Sequence, residues 1–326
     1  MSNAIRQVAE SASDAGVRIA DFVRETPLQR SDYFSDAMGA DVYLKLENRQ
    51  HTGSFKLRGA TNRLMTLADE QRSRGCVAAS SGNHGAAVAC AMQRLGTSGI
   101  IFVPEGTSSA KVDAIRGYGG NVQFFGTDGL DTEQHAREYA EQNGLFYLSP
   151  YNDAEVIAGQ GTCGIEIAEQ LPGIEVVFVA IGGGGLIAGV GSVLRAVNPD
   201  VRIVGCQPEA SPVMARSLEA GRILDLDSEP TLSDGTAGGI EAGAITFDLC
   251  RQLIEETVLV SEAQIAAAMR QYMAVYDEPI EGAAGVAIAG MLARKEIVRG
   301  QNIVVIVCGG NVSQATIDSI NEPSPG

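Results

Sequence analysis

Four consecutive glycines, Gly182 to Gly185, follow directly on the apolar run Val176-Val177-Phe178-Val179-Ala180-Ile181. Such a run reads as a buried strand, and the glycines let the backbone leave it sharply for a helix. Without a Cβ in the way, glycine N–H groups can close around an anion, and the helix start adds favourable polarity. The feature points to an α/β fold whose strand ends hold a phosphorylated cofactor or substrate. Further strands are expected at Cys76–Ala79, Gly99–Val103, Asn121–Phe125, Ile203–Gln207 and Ile303–Val307, with an alternating strand at Val42–Leu46. Helical periodicity is expected over about 4–24, from Lys56 through Leu67, and over 84–95, 108–117, 129–143, 154–170, 185–197, 262–275, 283–296 and 312–320. Short apolar strands separated by helices predict parallel sheets covered on both faces.

Composition narrows the partners. A net charge of −16 argues against nucleic acid, because binding a polyanion requires a positive surface. No apolar run approaches the roughly 20 residues that span a bilayer, and Met1-Ser2-Asn3-Ala4-Ile5-Arg6 has no signal-peptide core. The six cysteines are scattered, without a C-x-x-C pair, so a reducing, cytoplasmic setting is expected and a zinc site is not. At 326 residues there is room for two domains.

Three more segments carry chemistry. Thr52-Gly53-Ser54-Phe55-Lys56-Leu57-Arg58-Gly59-Ala60 opens a helix with a lysine between apolar neighbours. An arbitrary lysine is a solvated one, but a lysine held in such surroundings can lose basicity and act as a nucleophile or Schiff base. Ser80-Ser81-Gly82-Asn83-His84-Gly85 follows a strand and reads both as a helix cap and as a carboxylate-binding turn. It lies at the strand ends, where α/β proteins place ligands. Val307-Cys308-Gly309-Gly310-Asn311-Val312-Ser313 is, by itself, fully explained as a capped strand-to-helix turn. Gly183-x-Gly185-x-x-Ala188 also matches a relaxed dinucleotide fingerprint, but the next strand ends Cys206-Gln207-Pro208-Glu209, an indifferent fit to the acidic residue required.

In this order the four segments resemble the fold-type-II pyridoxal-phosphate enzymes, most closely the serine/threonine dehydratase (ammonia-lyase) and serine racemase branch. The resemblance spans about Thr26-Pro27 to Asn311. It implies a two-domain α/β fold similar to tryptophan synthase β, with parallel sheets flanked by helices. Residues 1–47 plus 151–326 would form the large cofactor-binding domain, 48–150 a small substrate-closing domain, and two copies a homodimer.

By the same resemblance Lys56 would form the Schiff base with pyridoxal 5'-phosphate, and Phe55 would pack beside its ring. Asn83 would hydrogen-bond the phenolic oxygen. Gly182, Gly183, Gly184, Gly185 and Leu186 would bind the phosphate through backbone N–H groups. Asn152 would lie near the phosphate, Glu281 near the cofactor, and Cys308 opposite the pyridine nitrogen. Ser80, Ser81, Gly82, Asn83 and His84 would hold the substrate carboxylate. Lys56 is the expected catalytic base, and Ser81 matches the second base of racemases. The implied reaction is β-elimination on L-threonine or L-serine to a 2-oxo acid and ammonia.

Departures from the family qualify this. The Glu and Asp of the racemase metal site fall at Gln207 and Val213; hard cations want carboxylates, so no metal is expected. The chain ends soon after Asn311, so the regulatory domain of biosynthetic threonine dehydratases, and isoleucine feedback, are not expected. His51 and His135 read as surface or loop residues. Asp234-Gly235-Thr236-Ala237-Gly238-Gly239 is expected over the substrate, and its glycines leave open another β-hydroxy amino acid such as 3-hydroxyaspartate or a phenylserine-like compound. Serine racemisation, β-replacement, a nicotinamide oxidoreductase and a non-catalytic amino-acid-binding protein are the other readings.

Overall fold

The computed structural model describes residues 1–322. Its ten strands are β1 (Leu28–Arg30), β2 (Asp41–Leu46), β3 (Cys76–Ala79), β4 (Gly99–Val103), β5 (Val122–Phe124), β6 (Phe146–Tyr147), β7 (Val176–Ala180), β8 (Arg202–Pro208), β9 (Glu256–Val260) and β10 (Asn302–Val307). They form two sheets. One has six strands in the order β1-β2-β10-β7-β8-β9, the other four in the order β5-β4-β3-β6. Every pairing is parallel except the antiparallel edge pair β1–β2. The registers Val304↔Val177 and Val177↔Ile203 align the valine-rich centres of the six-stranded sheet. All five residues of β7 are buried, as a strand covered by helices on both faces requires.

The expected strands are all present. The three unexpected ones are those whose sequence carries little signal. β1 is a three-residue polar edge, β6 has two residues, and β9 opens Glu256-Thr257. Short helices at Asp32–Met38, Asp69–Arg74, Val213–Ala220 and Ile245–Leu253 also add to the expected set. The first helix ends at Ile19, earlier than the apolar pattern through Phe22 and Val23 implies. Those two residues instead turn back, both donating their N–H to the Ile19 carbonyl. The helix expected over 283–296 is Gly282–Leu292, and the last described helix starts at Gln314 because Ser313 caps it through the Thr316 N–H.

Helix Lys56–Thr66 lies where the two sheets meet. Leu57, Ala60 and Leu64 on it join the apolar core under the four-stranded sheet. Its other face meets helix Ala154–Gln170 through two glycines. A Cβ on Gly59 would lie 2.4 Å from Gln160 Nε2, and one on Gly159 2.6 Å from the Gly59 Cα. The missing side chains let the two backbones touch, which fixes the height of Lys56 relative to both sheets.

Beneath Lys56 is a buried polar cluster. Arg58 donates to both oxygens of Glu47 at 2.8 Å and to Glu166 at 2.6 and 2.9 Å. Lys45 donates to Glu166, to the Thr26 carbonyl and to Gln170 at 2.6, 2.7 and 3.0 Å. The side chains of Arg58, Lys45 and Glu47 are wholly buried. Burial alone would drive the Glu47 carboxyl up; the Arg58 charge and its hydrogen bonds outweigh that and hold it below the usual range.

Candidate active site

The ends of the strands open on a cleft of about 860 Å³ between the two sheets. The four motif segments converge on it. Phe55, Lys56, Ser80 to His84, Gly182 to Leu186, Glu281 and Cys308 all line it, together with Thr52, Tyr151, Asp234 to Thr236 and Asn311. Asn152 does not. Its amide turns outward to Glu241 and to the N–H of Ile245.

Lys56 and Cys308 are brought together by backbone. The Phe55 N–H donates to the Cys308 carbonyl at 3.1 Å, and the Gly310 N–H to the Gly53 carbonyl at 2.9 Å. Asn311 Nδ2 adds a bond to the Thr52 carbonyl at 2.9 Å. The Lys56 amine donates to the Pro150 carbonyl at 2.9 Å. Crowding by protein lowers its pKa to about 8, and the charges of Cys308 and Glu281 offset only part of this.

Glu281 immediately precedes helix Gly282–Leu292 without capping it by its side chain, and is buried. Its Oε2 accepts from Asn83 Nδ2 at 2.7 Å, and the Cys308 Sγ lies 3.8 Å from its Oε1. Burial pushes this carboxyl up to about 7, against the Asn83 hydrogen bond that favours the anion. Burial and the adjacent Glu281 keep Cys308 a thiol. Asn83 is held from both ends, since its Oδ1 accepts from Asn311 Nδ2 at 2.7 Å.

The Ser80–Gly82 turn precedes helix Asn83–Leu95, whose cap residue Gly82 offers no side chain. Ser80 Oγ accepts the Gly82 N–H at 3.2 Å, leaving the Ser81 hydroxyl and the first helical N–H groups toward the cleft. His84 lines the cleft, but its ring nitrogen is engaged elsewhere. Its Nε2–H donates to the Leu148 carbonyl at 2.9 Å, and burial with the Lys56 charge lowers its pKa to about 3, so the ring is neutral. Of this residue, the backbone N–H is what can serve the cleft.

The glycine loop forms a cradle. Gly184 sits at φ 88°, in the left-handed region, and helix Gly185–Val197 starts immediately after it. A Cβ on Gly183 would lie 2.4 Å from the Tyr151 ring. Among the described residues, no protein acceptor takes the N–H groups of Gly182 to Leu186. The Thr52 hydroxyl on the opposite wall is buried without a partner. Free N–H groups at a helix start suit a dianionic phosphate. With Lys56 and Cys308 in the same cleft, the donor set fits a phosphorylated pyridine aldehyde.

Gln207 takes a structural part. Its Nε2 donates to the Ile181 carbonyl and its Oε1 accepts the Ala215 N–H. Tyr151 and the Arg58–Glu47–Glu166–Lys45 cluster were given no role by the sequence, and Thr52 only a place in the lysine segment. Only Arg58 carried a signal, lying two residues beyond Lys56 and so on the opposite face of the helix.

Residues 19–309 match the family described as pyridoxal-phosphate dependent enzyme. The chain is 39% identical over 311 residues to the L-threonine ammonia-lyase of Thermotoga maritima, covering 95% of this chain and 77% of that protein. Among solved structures it is similar to the processed form of threonine deaminase isoform 2 from Solanum lycopersicum. The TM-score is 0.93 at 36% identity, over 97% of this chain and 92% of that one. It is also similar to maize serine racemase, with a TM-score of 0.90 at 33% identity and 95% of each chain covered.

Proposed function

The chain belongs to the pyridoxal-phosphate dependent enzymes, and on that premise we propose that it is an ammonia-lyase acting on L-threonine or L-serine. The observation that carries this is the joint placement, in one cleft, of a weakly basic Lys56 and an unclaimed run of glycine N–H groups. The similarity to a named L-threonine ammonia-lyase supports the substrate class. When bound, pyridoxal phosphate supplies an electron sink that stabilises negative charge at the α-carbon of an amino acid.

The residues divide the remaining work. Gly182 to Gly185 and Leu186 would hold the phosphate by N–H groups, and Lys56 Nζ would hold the aldehyde end. Phe55 would flank the ring, the second N–H of Asn83 Nδ2 would serve the phenolic oxygen, and the Cys308 thiol would serve the ring nitrogen. A thiol is a weak partner and does not force that nitrogen to stay protonated. The substrate carboxylate would sit on the Ser80–Ser81–Gly82 turn, against the Ser81 hydroxyl and the N–H groups of Asn83 and His84. Once the substrate's amine has displaced it from the aldehyde, Lys56 Nζ, whose basicity burial lowers, would take the α-proton. The Cβ–O bond then breaks, and the hydroxide leaves as water with the proton that Lys56 took up. Addition of water to the resulting enamine's imine form restores the balance, giving one 2-oxo acid and one ammonia per amino acid.

A division of labour between the sheets follows. We assign residues 48–150 as the part that closes on substrate, because the four-stranded sheet and the Ser80–Gly82 turn lie on that side. Six buried free cysteines support a reducing cytoplasm, and no described helix is long and apolar enough to cross a membrane. The homodimer reading rests on the family resemblance; light scattering on the cofactor-loaded protein tests it.

A second reading, racemisation of serine, is favoured by the Ser81 hydroxyl, which shares the cleft with Lys56 and could serve as a second base. One assay separates the two. The cofactor-loaded protein is incubated with L-threonine, L-serine and 3-hydroxyaspartate, and ammonia, 2-oxo acid and D-amino acid are measured. Ammonia matched by 2-oxo acid from L-threonine or L-serine is expected. D-serine in excess of ammonia favours the second reading, and no ammonia from either L-substrate refutes the first.

A further inference from the structure

Two walls press on the glycine loop from opposite sides. Tyr151 forms one. Its ring meets Gly183, and its Cβ would lie 3.1 Å from a Cβ on Gly185. Helix Ile245–Leu253 forms the other, with Cys250 Sγ 2.9 Å and Thr246 Cβ 3.1 Å from the place a Gly184 Cβ would take. Outside the cleft these walls are tied together. Asn152 Oδ1 accepts the N–H of Ile245, the first residue of the helix, at 3.0 Å, and its Nδ2 donates to Glu241 Oε2 at 2.9 Å. The Glu241 N–H donates to the Tyr151 hydroxyl at 2.9 Å. Glu241, four residues before the helix of the second wall, thus binds the first wall twice, with its N–H at Tyr151 and its carboxylate at the Asn152 amide that holds Ile245.

A fourth bond extends this linkage across the cleft. Arg137 Nη2 donates to Glu241 Oε1 at 2.7 Å and to Glu133 Oε1 at 2.7 Å, with its guanidinium 4.2 Å above the Tyr147 ring. Arg137 sits on helix Gly129–Asn143, and Tyr147 on β6 of the four-stranded sheet. The stretch around Glu241 is otherwise held by the Gly238 N–H on Ser211 Oγ at 3.2 Å, the Ala244 N–H on the Glu241 carbonyl at 3.1 Å and Ile240 against the core. Gly238, Gly239 and Gly243 have open space where a Cβ would be, and Gly238 and Gly243 have φ of 111° and 73°.

We propose that Glu241 is a positioning residue that sets the separation of the two walls of the glycine loop, and so the site's affinity for the cofactor's phosphate. Arg137 links that separation to the four-stranded side of the cleft. The proposal rests on the reading that the glycine loop takes the phosphate. It also gives Asn152 a part in cofactor binding exercised through the walls, since its amide lies outside the cleft.

Equilibrium binding of pyridoxal phosphate and of pyridoxal to the cofactor-stripped protein tests this. Both ligands offer the same aldehyde to Lys56, so the ratio of their affinities isolates the phosphate. Glu241→Ala is expected to lower that ratio by about ten- to a hundredfold, the worth of hydrogen bonds to a charged group, with pyridoxal affinity unchanged. Glu241→Gln keeps the size and an oxygen for Asn152 while losing the charge facing Arg137. It should lower the ratio by about threefold, as should Arg137→Met. The isosteric Gln variant carries the test where the Ala variant does not fold. An unchanged ratio in the Glu241 variants overturns the proposal, and so does an equal loss of both ligands. Wild-type protein that binds both ligands equally removes the phosphate reading of the glycine loop, and this proposal with it. A wild-type preference for the phosphate form that survives the Glu241 substitutions removes the proposal alone.

Discussion

Lys56 and Arg58 are two residues apart on one helix, and the protein treats them in opposite ways. Arg58 faces the inside of the protein with Glu47, Glu166 and Lys45, where two cations meet two carboxylates at hydrogen-bonding distance. Burial works against its charge, but Glu47 and Glu166 reverse that and hold it protonated. Lys56 faces the cleft with a carbonyl as its hydrogen-bond acceptor, and burial lowers its pKa. Buried charge that is matched becomes scaffold; buried charge left unmatched drifts toward neutrality and becomes available for proton transfer. Glu281, in the cleft, follows the second pattern, and Glu47, beneath the helix, the first.

The comparison breaks most visibly at Lys56. Lys56→Met should lower turnover by at least about a thousandfold, since it removes both the cofactor's anchor and the base. The cofactor-free variant should be no less stable than wild type, because an incompletely compensated amine is replaced by an apolar side chain. Urea titration of the two proteins at neutral pH checks this, and a large loss of stability would show that Lys56 is scaffold as well. Arg58→Met should do the reverse to the fold. It leaves Glu47 without an ion-pair partner and Glu166 with Lys45 alone, at a cost of about 3–5 kcal/mol, readable as a fall in the urea midpoint with unchanged slope.

A smaller effect belongs to Glu281. Its folded pKa, about 7, lies above the ordinary carboxylate value of 4.5. Between those values the folded state binds the extra proton, so the contribution to stability is complete below pH 4.5 and is lost as pH rises through 7. Glu281→Gln should flatten the stability profile across that window. A wild-type profile already flat there, or one that Gln leaves unchanged, would move Glu281 into the matched class.

The cleft was more legible in the sequence than the scaffold that holds it. Lys56, Asn83, Gly182 to Gly185 and Cys308 lie on short local motifs at strand ends, where glycine and cap residues leave a readable pattern. The matched cluster is assembled from Lys45, Glu47, Arg58 and Glu166, contributed by β2, the turn after it and two separate helices. No local spacing records such a pairing. Lys45 even sits in a strand whose alternation would place its side chain on one face, while both faces of that strand are covered. The elements missed were those too short or too polar to show a period, β1, β6 and β9 among them. Asn152 shows the limit from the other side. It lies beside a cleft residue in sequence, but its side chain turns to Glu241 and Ile245 while Tyr151 faces the glycines.

The central claim is that this cleft eliminates the β-hydroxyl of an L-amino acid with Lys56 as the base. The most direct measurement is ammonia and 2-oxo acid release from L-threonine by cofactor-loaded wild type and Lys56→Met, side by side. The account predicts equal amounts of both products from wild type and none above background from the variant. Undiminished release by Lys56→Met would contradict it.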